Sequence, residues 1–376
     1  MNSEITLLPV NNIRSFKEPD SVPSNIALVG AQKKWRQGFY GKGVVVAVLD
    51  TGCEMNHPDL KERIIGGYNF TEDHDGDVSI YEDLNGHGTH VAGVIASSMN
   101  NSGIVGVAPK ANLLILKVLN KRGTGSVESL IESINYAVNW RGMNGERVRV
   151  ISLSLGLKNP SQKLYDAIQR VVKNNICVVA ASGNDGDGNI ATNEYRYPGA
   201  YEEVITVGAL NKENELADFS NTHEFVDVYA PGAHIYSTSI ENGYTELSGT
   251  SMATPHVTGA IALLIEEYEY LFSRKIEEEE IYNVLMKHTS KVDLEGGIAI
   301  NMLNLNSSVH SIYKHSDLLE RKNRDMLLKC FCEARRTQAF FTKCLDEHAS
   351  EEERTFMIEL IKNSAETSKK IKDFCE

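Results

Sequence analysis

An α/β fold is predicted: a mostly parallel central sheet between two layers of helices, followed by an α-helical C-terminal extension. Three observations predict it. Short apolar runs at 44–49, 113–118, 148–153 and 176–180 suit strands buried on both faces. Amphipathic stretches at 126–140 and 162–174 alternate with them, and such alternation gives parallel strands with helices on both sides. After Asn304 the pattern changes to helical stretches, about 314–348 and 351–374, beyond a linker Asn306-Ser307-Ser308.

Three segments follow in chain order. Residues 1–19 form a polar leader with one apolar island, Ile5-Thr6-Leu7-Leu8-Pro9-Val10. Residues 20–306 form the body. Its strand-like runs end at Asp50 and just before Asn184. Ligands of parallel sheets bind beyond the carboxyl ends of the strands, so both residues are expected at one edge. Residues 307–376 form the tail. Ser350-Glu351-Glu352-Glu353 has capping-box spacing, and Met357, Leu360, Ile361, Ser364, Ile371 and Cys375 form a weak helical stripe. The tail's Met326, Leu327, Phe331, Phe340, Phe341 and Leu345 are too many for a solvated arm. Two helices alone make a marginal core, so the tail is expected to dock or to pair.

Composition bounds the partners. The chain has 376 residues, 41% of them hydrophobic, and a net charge of −13. That charge argues against nucleic acid and against anionic membranes as partners. It resides in the body, since the tail carries equal numbers of basic and acidic residues. No apolar run approaches a membrane span, and the N-terminus lacks the basic and apolar regions of a secretory signal. Six cysteines, four of them (Cys330, Cys332, Cys344, Cys375) in the tail, fit a reducing compartment better than a disulfide framework. A cytoplasmic location is therefore expected.

The chemistry centres on Leu247-Ser248-Gly249-Thr250-Ser251-Met252-Ala253-Thr254-Pro255-His256. Here a serine among small residues opens an apolar helical run. A helix start points free N–H groups and a partial positive charge at the site, which suits attack on a carbonyl. A serine alone is a weak nucleophile and needs a base, and the base needs an orienting acid. Asp50, followed by Thr51-Gly52, and His87, within Asn85-Gly86-His87-Gly88-Thr89-His90-Val91-Ala92-Gly93, are the candidates.

These three segments, in the order Asp, His, Ser, resemble the subtilisin-like serine proteases. Ile64-Ile65-Gly66-Gly67 and Tyr136-Ala137-Val138-Asn139-Trp140-Arg141-Gly142 resemble the intracellular subtilisins of bacilli in particular. The resemblance implies a subtilisin-like three-layer fold and a serine endopeptidase. Ser251 would attack the scissile carbonyl, His87 would relay the proton, and Asp50 would orient the imidazole. Asn184, in Ala180-Ala181-Ser182-Gly183-Asn184-Asp185-Gly186, would donate to the oxyanion alongside the Ser251 N–H. His90 and His256 are read as structural. Protein or peptide substrates would lie extended between Gly123-Thr124-Gly125 and Ser154-Leu155-Gly156. The main pocket would be lined by Ser154 to Gly156 and by Ala181, Ser182, Gly183 and Asn184. No buried charge is evident at its walls, so a broad or apolar preference is expected.

The resemblance also implies Ca²⁺. Its ligands would be Asp59 in His57-Pro58-Asp59-Leu60, Asn100, carbonyls of Ser98, Ser102 and Ile104, and Asp20, a hard-oxygen set. Asp227 would serve a weaker cation site, whereas Asp73-His74-Asp75-Gly76-Asp77 reads as an exposed loop. Ser21-Val22-Pro23 resembles the start of a mature subtilase. Intracellular subtilisins carry a short leader with a Leu-Ile-Pro-aromatic motif across the cleft. Here the motif reads Leu7-Leu8-Pro9-Val10, and its last position departs from that pattern. The leader is expected to block the cleft until removed, as in a zymogen. The tail, through Cys344-Leu345-Asp346-Glu347 and Met357-Ile358-Glu359-Leu360, weakly resembles cysteine-rich copper-binding four-helix bundles. Most of that family's cysteines are absent, so pairing of two hairpins into a homodimer is expected rather than metal binding. Two other readings stand beside the general protease: a dedicated maturation protease for one peptide precursor, and a binding module on a dead protease scaffold.

Overall fold

The computed structural model describes residues 4–8, 11–16, 22–294, 298–307, 355–356 and 358–363. The chain divides into two compact units, Met1–Ser307 and Ser308–Glu376. In the second unit the described residues, 355–356 and 358–363, are helical, inside the second stretch expected to be helical. The first tail stretch and the four tail cysteines lie outside the described residues.

In the first unit the leader supplies two strands, β1 (Glu4–Leu7) and β2 (Asn11–Phe16). Two short helices follow, α1 (Ser24–Leu28) and α2 (Ala31–Arg36). Then come β3 (Val45–Asp50), β4 (Ile64–Asn69), α3 (His87–Ala96), β5 (Asn112–Lys117) and β6 (Thr124–Ser126). The middle of the chain holds α4 (Val127–Asn139), β7 (Val148–Leu153), β8 (Leu155–Gly156), α5 (Gln162–Lys173) and β9 (Cys177–Ala181). The rest is β10 (Ile205–Leu210), β11 (Val226–Pro231), β12 (Ile235–Ser239), β13 (Gly243–Ser248), α6 (Thr250–Phe272), α7 (Glu278–Lys287), β14 (Thr289–Asp293) and β15 (Ala299–Leu303).

Nine strands form the central sheet, in the order β14-β15-β11-β10-β9-β7-β3-β5-β4. All neighbours run parallel except the edge pair β14–β15. The four apolar runs became β3, β5, β7 and β9, adjacent at its centre. Their alternation explains the layers. Val46 and Val48 of β3 face a core shared with α3 and α6, while Val45, Ala47 and Leu49 face a core shared with α4 and α5. Helix α6 is buried from Thr250 to Ile265, so it is apolar nearly all round. Side-chain caps stop α4 and α5 from fraying: Ser126 accepts from Ser129 N, and Ser161 from Leu164 N.

The acidic stretch 73–77 is not wholly the exposed loop its composition suggests. Asp73 is buried and pairs with the fully buried Lys117 at 2.9 Å. Lys117 Nζ also donates to the carbonyls of Thr51 (2.6 Å) and Leu119 (3.3 Å). A buried ammonium needs such a full set of acceptors. Only residues 75–77 of the run face solvent.

Candidate active site

Asp50 is the last residue of β3, His87 the first of α3 and Ser251 the second of α6. Each therefore sits at an element terminus, where backbone groups are left over for other work. His87 Nδ1 donates to Asp50 Oδ1 at 2.7 Å, and all three side chains are buried. Asp50 Oδ1 also accepts from Thr51 N at 2.7 Å. Gly88 makes this approach feasible: a Cβ there would collide with Gly52 O and lie 3.2 Å from the Asp50 side chain.

Ser251 Oγ donates to Ser154 O at 3.2 Å, and His87 Nε2 has no partner among the described residues. Pro255 explains a second link. It lacks the N–H that would bond Ser251 O within α6, and Ser154 Oγ donates to that carbonyl instead, at 2.9 Å. Asn184 Oδ1 accepts from Thr250 N (2.8 Å) and Thr250 Oγ1 (2.7 Å), which fixes the amide beside the start of α6.

His90 and His256, expected to be structural, are buried and hydrogen-bonded within the fold. His90 Nε2 donates to Ile235 O at 2.9 Å, and His256 Nδ1 donates to Met252 O at 2.8 Å while Nε2 accepts from Asn25. Burial lowers their pKa values to about 3 and about 4.

The two expected substrate edges hold a strand already. Strand β1 lies between β6 and β8, antiparallel to both. Thr6 faces Thr124 on one side and Gly156 on the other, and Leu7 N donates to Gly123 O at 2.9 Å. Ile5 and Leu8 are fully buried. Beyond Pro9 and Val10, which lie outside the described residues, β2 resumes against β13, with Asn11 opposite Ser248. The leader thus pairs with backbone on both sides of Ser251.

The pocket expectation needs correcting. Arg196, a buried charge, stands beside two of the glycines expected to line it, with Cβ 3.4 Å from the Cβ position of Gly156 and Cγ 2.7 Å from that of Gly183. It is paired bidentately with Asp185, Nε to Oδ2 at 2.5 Å and a terminal nitrogen to Oδ1 at 2.7 Å. The Arg196 hydrogen bonds hold the Asp185 carboxyl below its usual pKa.

The loop 98–104 folds over Asp59, and its partners there are donors. Asp59 Oδ2 accepts from Ile104 N (3.0 Å) and Tyr244 OH (2.9 Å), and Oδ1 accepts from Asn100 Nδ2 (3.1 Å). Asn100 Oδ1 accepts from Ser102 N, and Ser98 N donates to Asp59 O. A hard cation fits this donor set only with the Asn100 amide turned end for end. Asp20 lies outside the described residues. Among the described residues no three His, Cys, Asp or Glu side chains gather as a metal site. Asp227 accepts from Thr206 N and Tyr282 OH, both at 2.9 Å, and burial raises its pKa to about 6. It fastens α7 to the sheet in this arrangement.

Sequence reasoning missed Asp83. Its Oδ1 accepts from Asn85 N, Gly86 N and Thr51 Oγ1, and its Oδ2 from Thr89 N and Oγ1. It gathers the orphan donors at the start of α3 and so holds His87 in place. An acidic residue four before the histidine, in Asp83-Leu84-Asn85-Gly86, was the available signal.

The family model described as "Subtilase family" matches residues 41–309. The chain is a member of the subtilase family. This subtilase is 46% identical over 289 residues to "Intracellular serine protease" of Paenibacillus polymyxa, covering 77% of this chain and 86% of that protein. It is 45% identical over 302 residues to "Major intracellular serine protease" of Bacillus subtilis (strain 168), covering 80% and 93%. It is 40% identical over 256 residues to "Subtilisin DY" of Bacillus licheniformis, covering 68% and 89%. The subtilase is thus a subtilisin-like serine protease, a hydrolase acting on protein substrates.

Proposed function

We propose that this subtilase is an intracellular endopeptidase with Asp50, His87 and Ser251 as its catalytic triad. The bond from His87 Nδ1 to Asp50 Oδ1 at 2.7 Å carries the reading. It fixes the tautomer that leaves Nε2 able to accept the Ser251 proton. Ser251 Oγ attacks the scissile carbonyl, the imidazolium passes its proton to the leaving amine, and water hydrolyses the acyl-enzyme by the reverse route. Asn184 Nδ2 and Ser251 N–H stabilise the oxyanion. The intact Asp50–His87 pair argues against a dead scaffold. Ser251→Ala in a rigorously purified sample should abolish hydrolysis of a peptide anilide while keeping the native circular dichroism. Hydrolysis at the parent rate would sink the serine mechanism.

The leader acts in this reading as an internal blocker. Strand β1 takes the place of substrate between β6 and β8. Pro9, which follows Leu8 in sequence, lacks an N–H and fixes φ, so it would bend the segment and misplace the bond that would be cut. A cytoplasmic site of action agrees with the intracellular relatives and with the cysteine content. Calcium at the loop over Asp59, with Asn100 and carbonyls of Ser98, Ser102 and Ile104, would stabilise the folded body without entering the chemistry. The tail, from about residue 307, would supply a docking or homodimer surface.

A further inference from the structure

We infer that the edge of β13 now covered by β2 is a binding site for the leaving side of a substrate chain, an extended segment with a basic residue opposite Glu246. The inference rests on the proposed peptidase site and names the class of substrate it takes. The leader shows the register. Strand β2 runs antiparallel to β13, with Asn11 opposite Ser248, Asn12 opposite Leu247, Arg14 opposite Glu246, Ser15 opposite Thr245 and Phe16 opposite Tyr244. The register shifts between Glu246 and Leu247, which puts Arg14 rather than Ile13 opposite the acidic residue. Ser248 stands just before Gly249-Thr250-Ser251, so the paired stretch leads away from the proposed nucleophile. Strand β1 fills the other side, between β6 and β8. A substrate that lies as β1 does, and runs on in the same direction, therefore continues along β13.

Without the leader, β13 is an edge strand. Its other side stays paired with β12, from Ser239 opposite Gly243 to Ile235 opposite Leu247. Such an edge presents backbone N–H and C=O groups to which an extended chain adds as a strand. Backbone bonds then give affinity and alternate side chains give choice. The edge is firmly mounted. Ser237 Oγ and Thr238 Oγ1 of β12 donate to the carbonyls of His90 and Thr89, at 2.8 and 2.7 Å, which ties the hairpin to the helix that begins with His87. Charge supplies the choice. Glu246 Oε1 is held by His234 Nδ1 at 2.7 Å, and the Glu246 side chain stays partly exposed. Residues directly opposite in antiparallel strands share a face, where unlike charges attract. A basic substrate residue in the register of Arg14 meets Glu246, and one position along it lies on the other face.

The test uses the full chain and internally quenched peptides with the sequence of residues 4–16, in which Ala replaces Pro9 so that the peptide can be cut. One ends Ile-Arg-Ser-Phe, as the leader's strand does, and its isomer ends Ile-Ser-Arg-Phe. The two share length, composition and net charge, so the pull of an acidic body on any basic peptide cancels. Both displace the same leader, which divides each kcat/KM by one factor and leaves their ratio alone. Products are assigned by mass, and only cuts before the Asn-Asn pair are counted. The parent should cut the first isomer about three- to fivefold faster, the worth of a partly exposed ion pair. Glu246→Gln should bring the two rates together, and Glu246→Lys should reverse their order. Equal kcat/KM for the isomers in the parent, or an unchanged preference in folded, active Glu246→Lys, would overturn the inference and leave β13 as a mount for the leader alone. The peptidase reading is checked apart from it: cutting of both isomers must vanish in Ser251→Ala, and if it persists that reading fails whatever the ratio.

Discussion

Loosening the leader should open the cleft by a measurable amount. Strand β1 is held by backbone pairing to β6 and β8 and by two fully buried side chains, Ile5 and Leu8. Truncating a buried aliphatic side chain costs about 2–5 kcal/mol, and the lower end applies where a cleft can relax around the loss. At about 2 kcal/mol, Ile5→Ala should raise the fraction of open molecules roughly thirty-fold, since about 1.4 kcal/mol is a factor of ten. Apparent affinity for a ligand of the open cleft scales with that fraction. The assay is therefore the binding of a fluorescent extended decapeptide, in a Ser251→Ala background that prevents self-cleavage. Ile5→Ala should lower the apparent Kd about thirty-fold, up to the ceiling set by deleting residues 1–20. Equal Kd values for the parent, Ile5→Ala and the deletion would refute the blocking role.

Three further outcomes follow from the site. Asn184→Ala should lower kcat about 10²–10³-fold with little change in KM, the loss known for such a donor in subtilisin itself; a kcat within threefold of the parent removes Asn184 from the oxyanion site. Adding excess calcium should raise the melting temperature relative to chelator, because a ligand bound only by the native state stabilises it by mass action; Asp59→Asn should erase that difference, and identical melting curves for the parent in both conditions count against the site. The third concerns acid. Burial lowers the His256 pKa from 6.5 to about 4. Below 6.5 the unfolded chain binds a proton that the folded one does not, so stability should fall as pH drops from about 6.5 towards 4 and then level off. Urea titrations at pH 7, 6 and 5 should show this slope flattened in His256→Gln.

The sheet centre was legible because β3, β5, β7 and β9 are buried on both faces, and such strands read as unbroken apolar runs. Asp50, His87 and Ser251 could be named as candidates because they lie in short local motifs. What escaped was long-range and charged. Asp73 sits in an acidic run that looks solvated, and nothing local shows that Lys117, forty-four positions on, is buried behind it. Arg196 and Asp185 lie eleven positions apart across a loop, so no local pattern announces a buried, paired charge beside Gly156 and Gly183. Strand β2 is polar, with β13 as its partner more than two hundred positions away.

Ser154 joins these features into one unit. Its Oγ donates to Ser251 O, an acceptor that exists because Pro255 withholds the helical N–H. Its own carbonyl accepts the Ser251 hydroxyl, and the next residue, Leu155, begins the strand that pairs with β1. The hydrogen bond of the proposed nucleophile and the pairing of β1 are thus anchored at adjacent residues of one backbone segment. His87, oriented by Asp50 and by the Asp83 turn, leaves Nε2 without a partner among the described residues. Exchange of one acceptor, Ser154 O for His87 Nε2, completes the proposed triad. That exchange requires Ser251 Oγ to turn about the Cα–Cβ bond, while Asp50, His87 and the Ser251 backbone are held at the buried ends of β3, α3 and α6.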